Sequence, residues 1–397
     1  MKKIKLRLRQ IGVILRFFWW QFYCKVRKIN NSEVWLIAER GDEARDNGYA
    51  FYKYMEKNHP NIDFKYVISK NSPDLDKIKD KKRIVYQNSR GHYILFCTCG
   101  HLLSTHIMGY SPEFRIFNKL DKWGWVHIRG KRVYLNHGIE QNNVDGLKSE
   151  NVKLDMFVCA TKPQYEYEVK ELGFPEGVIK YTGMPRYDFL KNDLKNQIVL
   201  MPTWRANLFY CSGEEEFKTT DYFKAFDGLL RDKRLVDFLK REKMELIFYP
   251  HYEIQPYVEA FTGYNKLIKI ATFGENDVQT LINESKLMIT DYSSVSFDFI
   301  YLKKPVIYYQ FDYEDFMKNH FGEGYFSYRE DGFGEIENTQ EELVDTIIGY
   351  VKNGCRVKTK YMKNRNKCFT LPDGGNCARV YEAIKTVVSH YGGKNDK

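Results

Sequence analysis

The stretch ITDYSSVSFDFIYLKKPVIYY, residues 289–309, begins as a buried strand, breaks into an acid and paired hydroxyls, and then turns helical. Val295, Phe299 and Leu302 have helical spacing, so Asp291, Ser293 and Ser294 fall at a helix N-terminus. Hydroxyls there cap free backbone N–H groups, and the helix dipole favours an anion. The turn therefore suits a diphosphate, or serves as an ordinary cap. Other expected strand ends carry polar groups as well. VYLNHG places His137 and Gly138 there, either a general base beside a close backbone approach or a structural histidine. LIFYPHYE contributes His251, and IVLMPTWR contributes Thr203 and Arg205, the arginine being a phosphate fork or a surface ion pair. Asp277 and Gln279 in NDVQTLI fit a nucleotide pocket or a helix cap, while Arg45, Asp46 and Asn47 fit an acceptor entry or an ion-paired loop. The lone DxD, Asp74 to Asp76, reads as solvated, and the eight cysteines have no metal-ligand spacing and read as reduced thiols. No metal and no cofactor is called for.

These side chains need a frame that gathers strand ends. Apolar runs of strand length at 33–39, 64–69, 82–87, 101–105, 131–138 and 156–161 alternate with helical spacing. The pattern restarts at 197–205, 245–251, 267–272, 286–291 and 305–309, with one charged helix from about 221 to 243 between the first two. Such alternation argues for an α/β fold with parallel sheets, ligands binding beyond the carboxyl ends of the strands. The length of 397 residues suits two domains. The strand signal lapses in GMPRYDFLKNDLKNQ, which sets a boundary at about residue 193: Rossmann-like domains at 31–193 and 194–388, then a disordered tail at 389–397. Two such halves point to a GT-B-like architecture with the domains facing a central cleft.

Charge is concentrated at the start. Residues 1–30 hold nine cations and no acid, leaving about +1 of the net +10 for the rest, which argues against nucleic acid as a partner. Ile4, Leu8, Ile11, Leu15, Phe18, Phe22, Val26 and Ile29 form one helical stripe in that segment. Its apolar run is too short to span a bilayer. A basic amphipathic helix of this kind lies on an anionic membrane surface, or else docks on the protein's own body.

WLIAERGDEARDNGYAFYKY, LNHG, TGMPRYDFL, MPTWR, PHYE, DVQTLINESKLMITDYSSVSFDFIYLKKPVIYYQFD and DGGNCARV together resemble the CDP-glycerol glycerophosphotransferase family, over about residues 33–385. Its members serve bacterial teichoic acid and capsule synthesis. The resemblance implies a GT-B-like fold and transfer of glycerol phosphate from CDP-glycerol, or ribitol phosphate from CDP-ribitol, with release of CMP. The acceptor is a hydroxyl on a membrane-bound glycolipid or polymer. It also implies a monotopic protein at the cytoplasmic membrane face. The family's two activity-linked histidines map to His137 and His251, with Asn136 standing where WHG is common. On this reading His137 takes the acceptor proton, and His251, Arg205, Asp291, Ser293 and Ser294 hold the diphosphate. Thr203, Asp277 and Gln279 border the nucleotide, while Gly138, Arg45, Asp46 and Asn47 lie on the acceptor side. The alternatives are a nucleotide-sugar glycosyltransferase of the same fold and a non-enzymatic lipid- or nucleic-acid-binding protein.

Overall fold

The computed structural model describes residues 2–273, 275–319 and 324–390, with the backbone alone for 2–9 and 319. The chain divides into two compact units. The first comprises Met1–His137, Asp145–Phe189 and Leu371–Lys397, and the second Gly138–Val144 and Leu190–Thr370.

In the first unit seven strands run parallel: β1 (Asn31–Ala38), β2 (Phe64–Ile68), β3 (Ile84–Tyr86), β4 (Cys99–Ser104), β5 (Lys131–Tyr134), β6 (Met156–Cys159) and β7 (Ile179–Tyr181), in the order β3-β2-β1-β4-β5-β6-β7. In the second unit six more do so: β8 (Gln197–Leu200), β9 (Glu245–Phe248), β10 (Ile268–Ile270), β11 (Leu287–Thr290), β12 (Val306–Tyr309) and β13 (Gly334–Glu337), in the order β10-β9-β8-β11-β12-β13. Each order reverses once, between β1 and β4 and between β8 and β11. In open α/β sheets that reversal leaves a crevice beyond the carboxyl ends where ligands bind.

The strands read as unbroken apolar runs because both sheet faces are covered. In the second unit Ile198, Leu200, Leu246, Phe248, Leu287 and Ile289 pack into one core. Their alternates Val199, Ile247, Met288 and Val306 pack into another on the opposite face, as the two-residue period of a strand requires.

Two edge strands escaped the pattern, because IKY and GEIE are short and carry charge. The charged helix expected from 221 to 243 is two, Asp221–Arg231 and Lys233–Glu242, parted at Asp232, whose carboxylate accepts from Leu235 N. The last helix, Asn376–Lys385, belongs to the first unit and not to the second as the 194–388 boundary implied. Cys377, Val380 and Ile384 join the core of Trp35, Ile37 and Tyr66. Asp188 caps that helix, taking Asn376 N at 2.9 Å and Cys377 N at 2.7 Å, so the blocks TGMPRYDFL and DGGNCARV fold as a pair. Most of the expected tail, 391–397, lies outside the described residues.

Helix α1 (Lys2–Val26) docks on the first unit through Val13, Phe17 and Cys24. Phe17 meets Tyr93 and Phe96 of helix α3 (Arg90–Thr98) at 5.2 and 6.1 Å. The stripe read from sequence is a different one. Ile11, Leu15, Phe18, Phe22 and Val26 are exposed, and Ile4 and Leu8 lie outside the described side chains. Docking and an unpartnered apolar face are thus both features of α1. No described helix is long and apolar enough to cross a membrane.

Candidate active site

At the reversal in the second unit, β8 runs into Thr203 and Arg205 and β11 into Asp291. Asp291 is fully buried. Its Oδ1 accepts from Thr203 N at 2.8 Å and Tyr292 N at 2.6 Å, and its Oδ2 lies 2.8 Å from Arg205 Nη1. Burial raises the carboxyl's pKa against the opposing pull of Arg205. Arg205 Nε and Nη2 donate to Asp312 at 2.6 and 3.0 Å, and Nη1 to Thr203 O at 2.6 Å. Arg205 is therefore neither a phosphate fork standing ready nor a surface pair. It is a buried strut, and with Asp291 it ties together the turns that leave β8, β11 and β12. Sequence could not show this, because the two partners lie far apart along the chain.

The half-buried Ser293 and Ser294 follow on the same turn, and the helix Val295–Tyr301 starts after them. Ser294 makes no side-chain cap bond, although Ser293 Oγ accepts weakly from Val295 N at 3.4 Å. A Cβ on Gly138 would stand 2.9 Å from Ser294 Oγ, so a side chain at position 138 would push this hydroxyl aside. Thr203 Oγ1 is buried with no partner among the described residues, which leaves a hydroxyl for a ligand to satisfy. His251, after β9, takes Glu253 N on its Nδ1 at 3.2 Å. A neutral ring so held carries its proton on Nε2 and is a donor there. Asp277 caps the helix Val278–Glu284, accepting from Gln279 N at 2.9 Å and Thr280 N at 3.2 Å. Lys304 of the KKP block is buried and gives its ammonium to the carbonyls of Ile282 and Ser285 at the end of that helix, a structural role.

In the first unit the exposed His137 ends the turn after β5, and its surroundings are built in detail. Asn136 sits at φ +63, takes His137 N on its own Oδ1 at 2.7 Å, and reaches Val158 O with its amide. The His137 carbonyl accepts from Arg186 Nη1 at 2.8 Å. That guanidinium also pairs with Asp46 at 2.8 Å, while Asn47 donates to Asn136 O at 2.7 Å and accepts from Arg186 N at 2.9 Å. Asp46 and Asn47, expected at an acceptor entry, hold the loop of His137 in place. Arg45 instead pairs with Asp74 at 2.6 Å. Asp74 is thus not the solvated acid of a loose DxD. It is buried between Arg45 and Lys77, which with the Ala44 N–H lower its pKa against the pull of burial.

The imidazole of His137 shares a hydrogen bond with Tyr134 through Nδ1 at 3.0 Å and stacks on His106, with centroids 4.7 Å apart. Arg40 Nε donates to His106 Nε2 at 3.0 Å, so Nε2 is the acceptor and Nδ1 carries the proton toward Thr105 Oγ1 at 3.1 Å. Burial, then the charges of His137 and Arg40, press the His106 pKa down to about 2. Beside it, Glu39 anchors the N-terminus of helix α2 (Asn47–Asn58), accepting from Arg45 N, Asp46 N and Tyr49 N. Burial, with Asp46 adding to it, raises that carboxyl to about 8 despite those donors. Sequence reasoning passed over Arg40, His106, Tyr134 and Arg186. The signal was present in HLLSTHI and WLIAER, whose polar residues follow β4 and β1 at the reversal. Among the described residues no group of His, Cys, Asp and Glu is placed to hold a metal ion.

Two parallel sheets, each with polar side chains gathered where its strand order reverses, define a two-unit α/β protein of the doubly wound, ligand-binding class. The chain belongs to the CDP-glycerol:poly(glycerophosphate) glycerophosphotransferase family, which it matches over residues 20–386. It is 33% identical to the minor teichoic acid biosynthesis protein GgaB of Bacillus subtilis (strain 168), a match covering 89% of this chain and 40% of that protein. It is 24% identical to the teichoic acid poly(glycerol phosphate) polymerase of the same strain, over 90% of this chain and 49% of the other. The chain thus spans less than half the length of these two relatives. Among solved structures it resembles the wall teichoic acid polymerase TagF, with a TM-score of 0.67 at 19% identity and 97% of each chain covered.

Proposed function

We propose that this chain transfers glycerol phosphate from CDP-glycerol to an acceptor hydroxyl on a lipid-linked or polymeric glycan, releasing CMP, in teichoic acid or capsule-type polymer synthesis. Family membership supports the donor class. The observation that carries the reading is the build around His137: an exposed imidazole whose main chain is clamped by Asn136 and Arg186 and whose ring is fixed by Tyr134 and His106. An ordinary structural histidine needs no such support.

In the reaction the acceptor oxygen attacks the phosphorus that bears glycerol. A new P–O bond forms as the phosphoanhydride P–O bond breaks, and CMP leaves with that electron pair. Phosphoryl transfer asks for positioning and charge neutralisation more than for covalent help. His137 takes the proton from the acceptor hydroxyl. His251 donates from Nε2 to the diphosphate, and the hydroxyls of Ser293, Ser294 and Thr203 complete its ring of donors. Asp291 and Arg205 act by holding that turn in shape. Asp277 and Gln279 border the nucleotide, and Gly138 allows the chain to pass close to Ser294. The reading requires the two units to present His137 and the donor to one another, which is the cleft that a GT-B-like fold implies. Domain limits of 31–193 and 194–388 enter this proposal only as amended by the final helix.

The protein works on this reading as a peripheral, monotopic one at the cytoplasmic membrane face, with the outward stripe of α1 against anionic lipid. CDP-ribitol is the second donor to compare. The test is CMP release from CDP-glycerol and from CDP-ribitol with glycolipid and polymer acceptors, for wild type and His137→Ala. CMP release that falls about 100- to 10,000-fold in the variant is expected for loss of a general base. Unchanged turnover, or release of UDP from a UDP-sugar in place of CMP, would sink the reading.

A further inference from the structure

We propose that the membrane face is built from two segments: α1, and helix α4 (Phe114–Lys122) with the loop after it, which together dock on an anionic phospholipid surface. The proposal extends, and rests on, the membrane reading of α1.

The first observation is that α1 is apolar on two opposite sides. Val13 and Phe17 face the body, and Leu15, two residues from each and so about 200° around the helix, is 62% exposed. Ile11, Phe18, Trp19, Phe22 and Val26 are exposed as well. A helix that is apolar on both sides is one lying between two apolar neighbours, and the described residues supply only one of them.

The second observation lies some hundred residues on. Phe114, Trp123 and Trp125 are 51%, 58% and 52% exposed. They are interleaved with the exposed cations Arg115, Lys119, Lys122 and Arg129. The one carboxylate from 114 to 130, Asp121, is buried against Arg132 and Lys153, so it cancels none of those charges at the surface. The segment repeats the chemistry of α1, aromatic rings among cations, with the half-buried Glu113 at the start of its helix.

The two segments form one surface. Trp125 lies 6.4 Å from Phe18 and 5.1 Å from Trp123, ring centre to ring centre, and Gln21 Nε2 donates to His127 O at 2.7 Å. Beneath them Phe17 contacts Phe117 at 6.1 Å, which fixes α4 against α1. Lipid is favoured over a protein partner by composition. Protein interfaces are depleted in lysine, whereas tryptophan set among lysine and arginine is the pattern of the headgroup layer.

The test is sedimentation of the full chain with vesicles of equal parts phosphatidylglycerol and phosphatidylcholine, and with phosphatidylcholine alone. Wild type is expected to bind the first and not the second. Trp123→Ser with Trp125→Ser, and separately Lys119→Glu with Lys122→Glu, should each weaken binding by about tenfold or more, by the rules for interfacial helices. Because these side chains are exposed, far-UV circular dichroism should stay unchanged. If both pairs bind as wild type while Leu15→Ser with Phe22→Ser loses binding, the α4 segment is no anchor and only α1 remains. If wild type ignores phosphatidylglycerol, both readings fail. If the tryptophan pair instead turns a dimer into a monomer in ultracentrifugation, the face serves self-association and the proposal is overturned.

Discussion

Removing the Asp291 carboxylate separates a strut from a ligand group. Asp291→Asn keeps an oxygen for Thr203 N and Tyr292 N but sets an amide against the Arg205 guanidinium. Breaking a buried ion pair costs about 3–5 kcal/mol, and Arg205 keeps Asp312, so a loss near the lower end, about 2–3 kcal/mol, is expected. Asp291→Ala also orphans two buried backbone N–H groups, each worth about 1–3 kcal/mol, for a total of about 4–9 kcal/mol. A domain's whole stability is about 5–15 kcal/mol, so the alanine variant should sit close to unfolding in its second unit. Urea titration read by hydrogen exchange in β8 and β11 measures both losses. Pairing Asp291→Asn with Arg205→Met should cost less than the two changes summed, since their side chains form one ion pair. The strut is refuted if Asp291→Ala melts with wild type and loses only affinity for CDP-glycerol, because the carboxylate would then be acting on the ligand.

Three further outcomes follow from the first unit. Glu39 has a folded pKa of about 8 against an ordinary value near 4.5, so the folded state keeps a proton that the unfolded state releases. The Glu39 contribution to stability should therefore fall by about 1.4 kcal/mol per pH unit as pH rises from about 4.5 to about 8 and then level off, read as the difference between melts of wild type and Glu39→Gln across that range. Arg186→Met removes the donor to the His137 carbonyl and the partner of Asp46. Steady-state kinetics should show kcat reduced about 10- to 100-fold with KM little changed, as for a misplaced reacting group. Arg40→Gln removes the donor that holds His106 at its Nε2, and so loosens the ring on which His137 stacks. kcat should then fall about tenfold or more with KM little changed, and a variant that turns over as wild type would refute the coupling.

Much of this protein was legible in its residues. Both parallel sheets could be read because strands buried on two faces must be apolar throughout, and their strands stand where EVWLIA, FKYVI, HLLS, ELIF and LMIT place them. Placement of polar groups beyond those strands followed from the same alternation. What required the tertiary structure is every pairing across distance. Asp291 with Arg205, Asp188 with the final helix, Arg186 with His137, and Arg40 with His106 join residues that no local period relates. Local sequence sets which way a side chain points along its own element, but a charge chooses its partner by proximity and desolvation in the packed interior. That is why Arg205 could be read as a phosphate fork and is a strut, and why α1, read as lying on a membrane surface or docking on the protein's own body, docks through Val13 and Phe17 while the stripe read from its sequence stands outward.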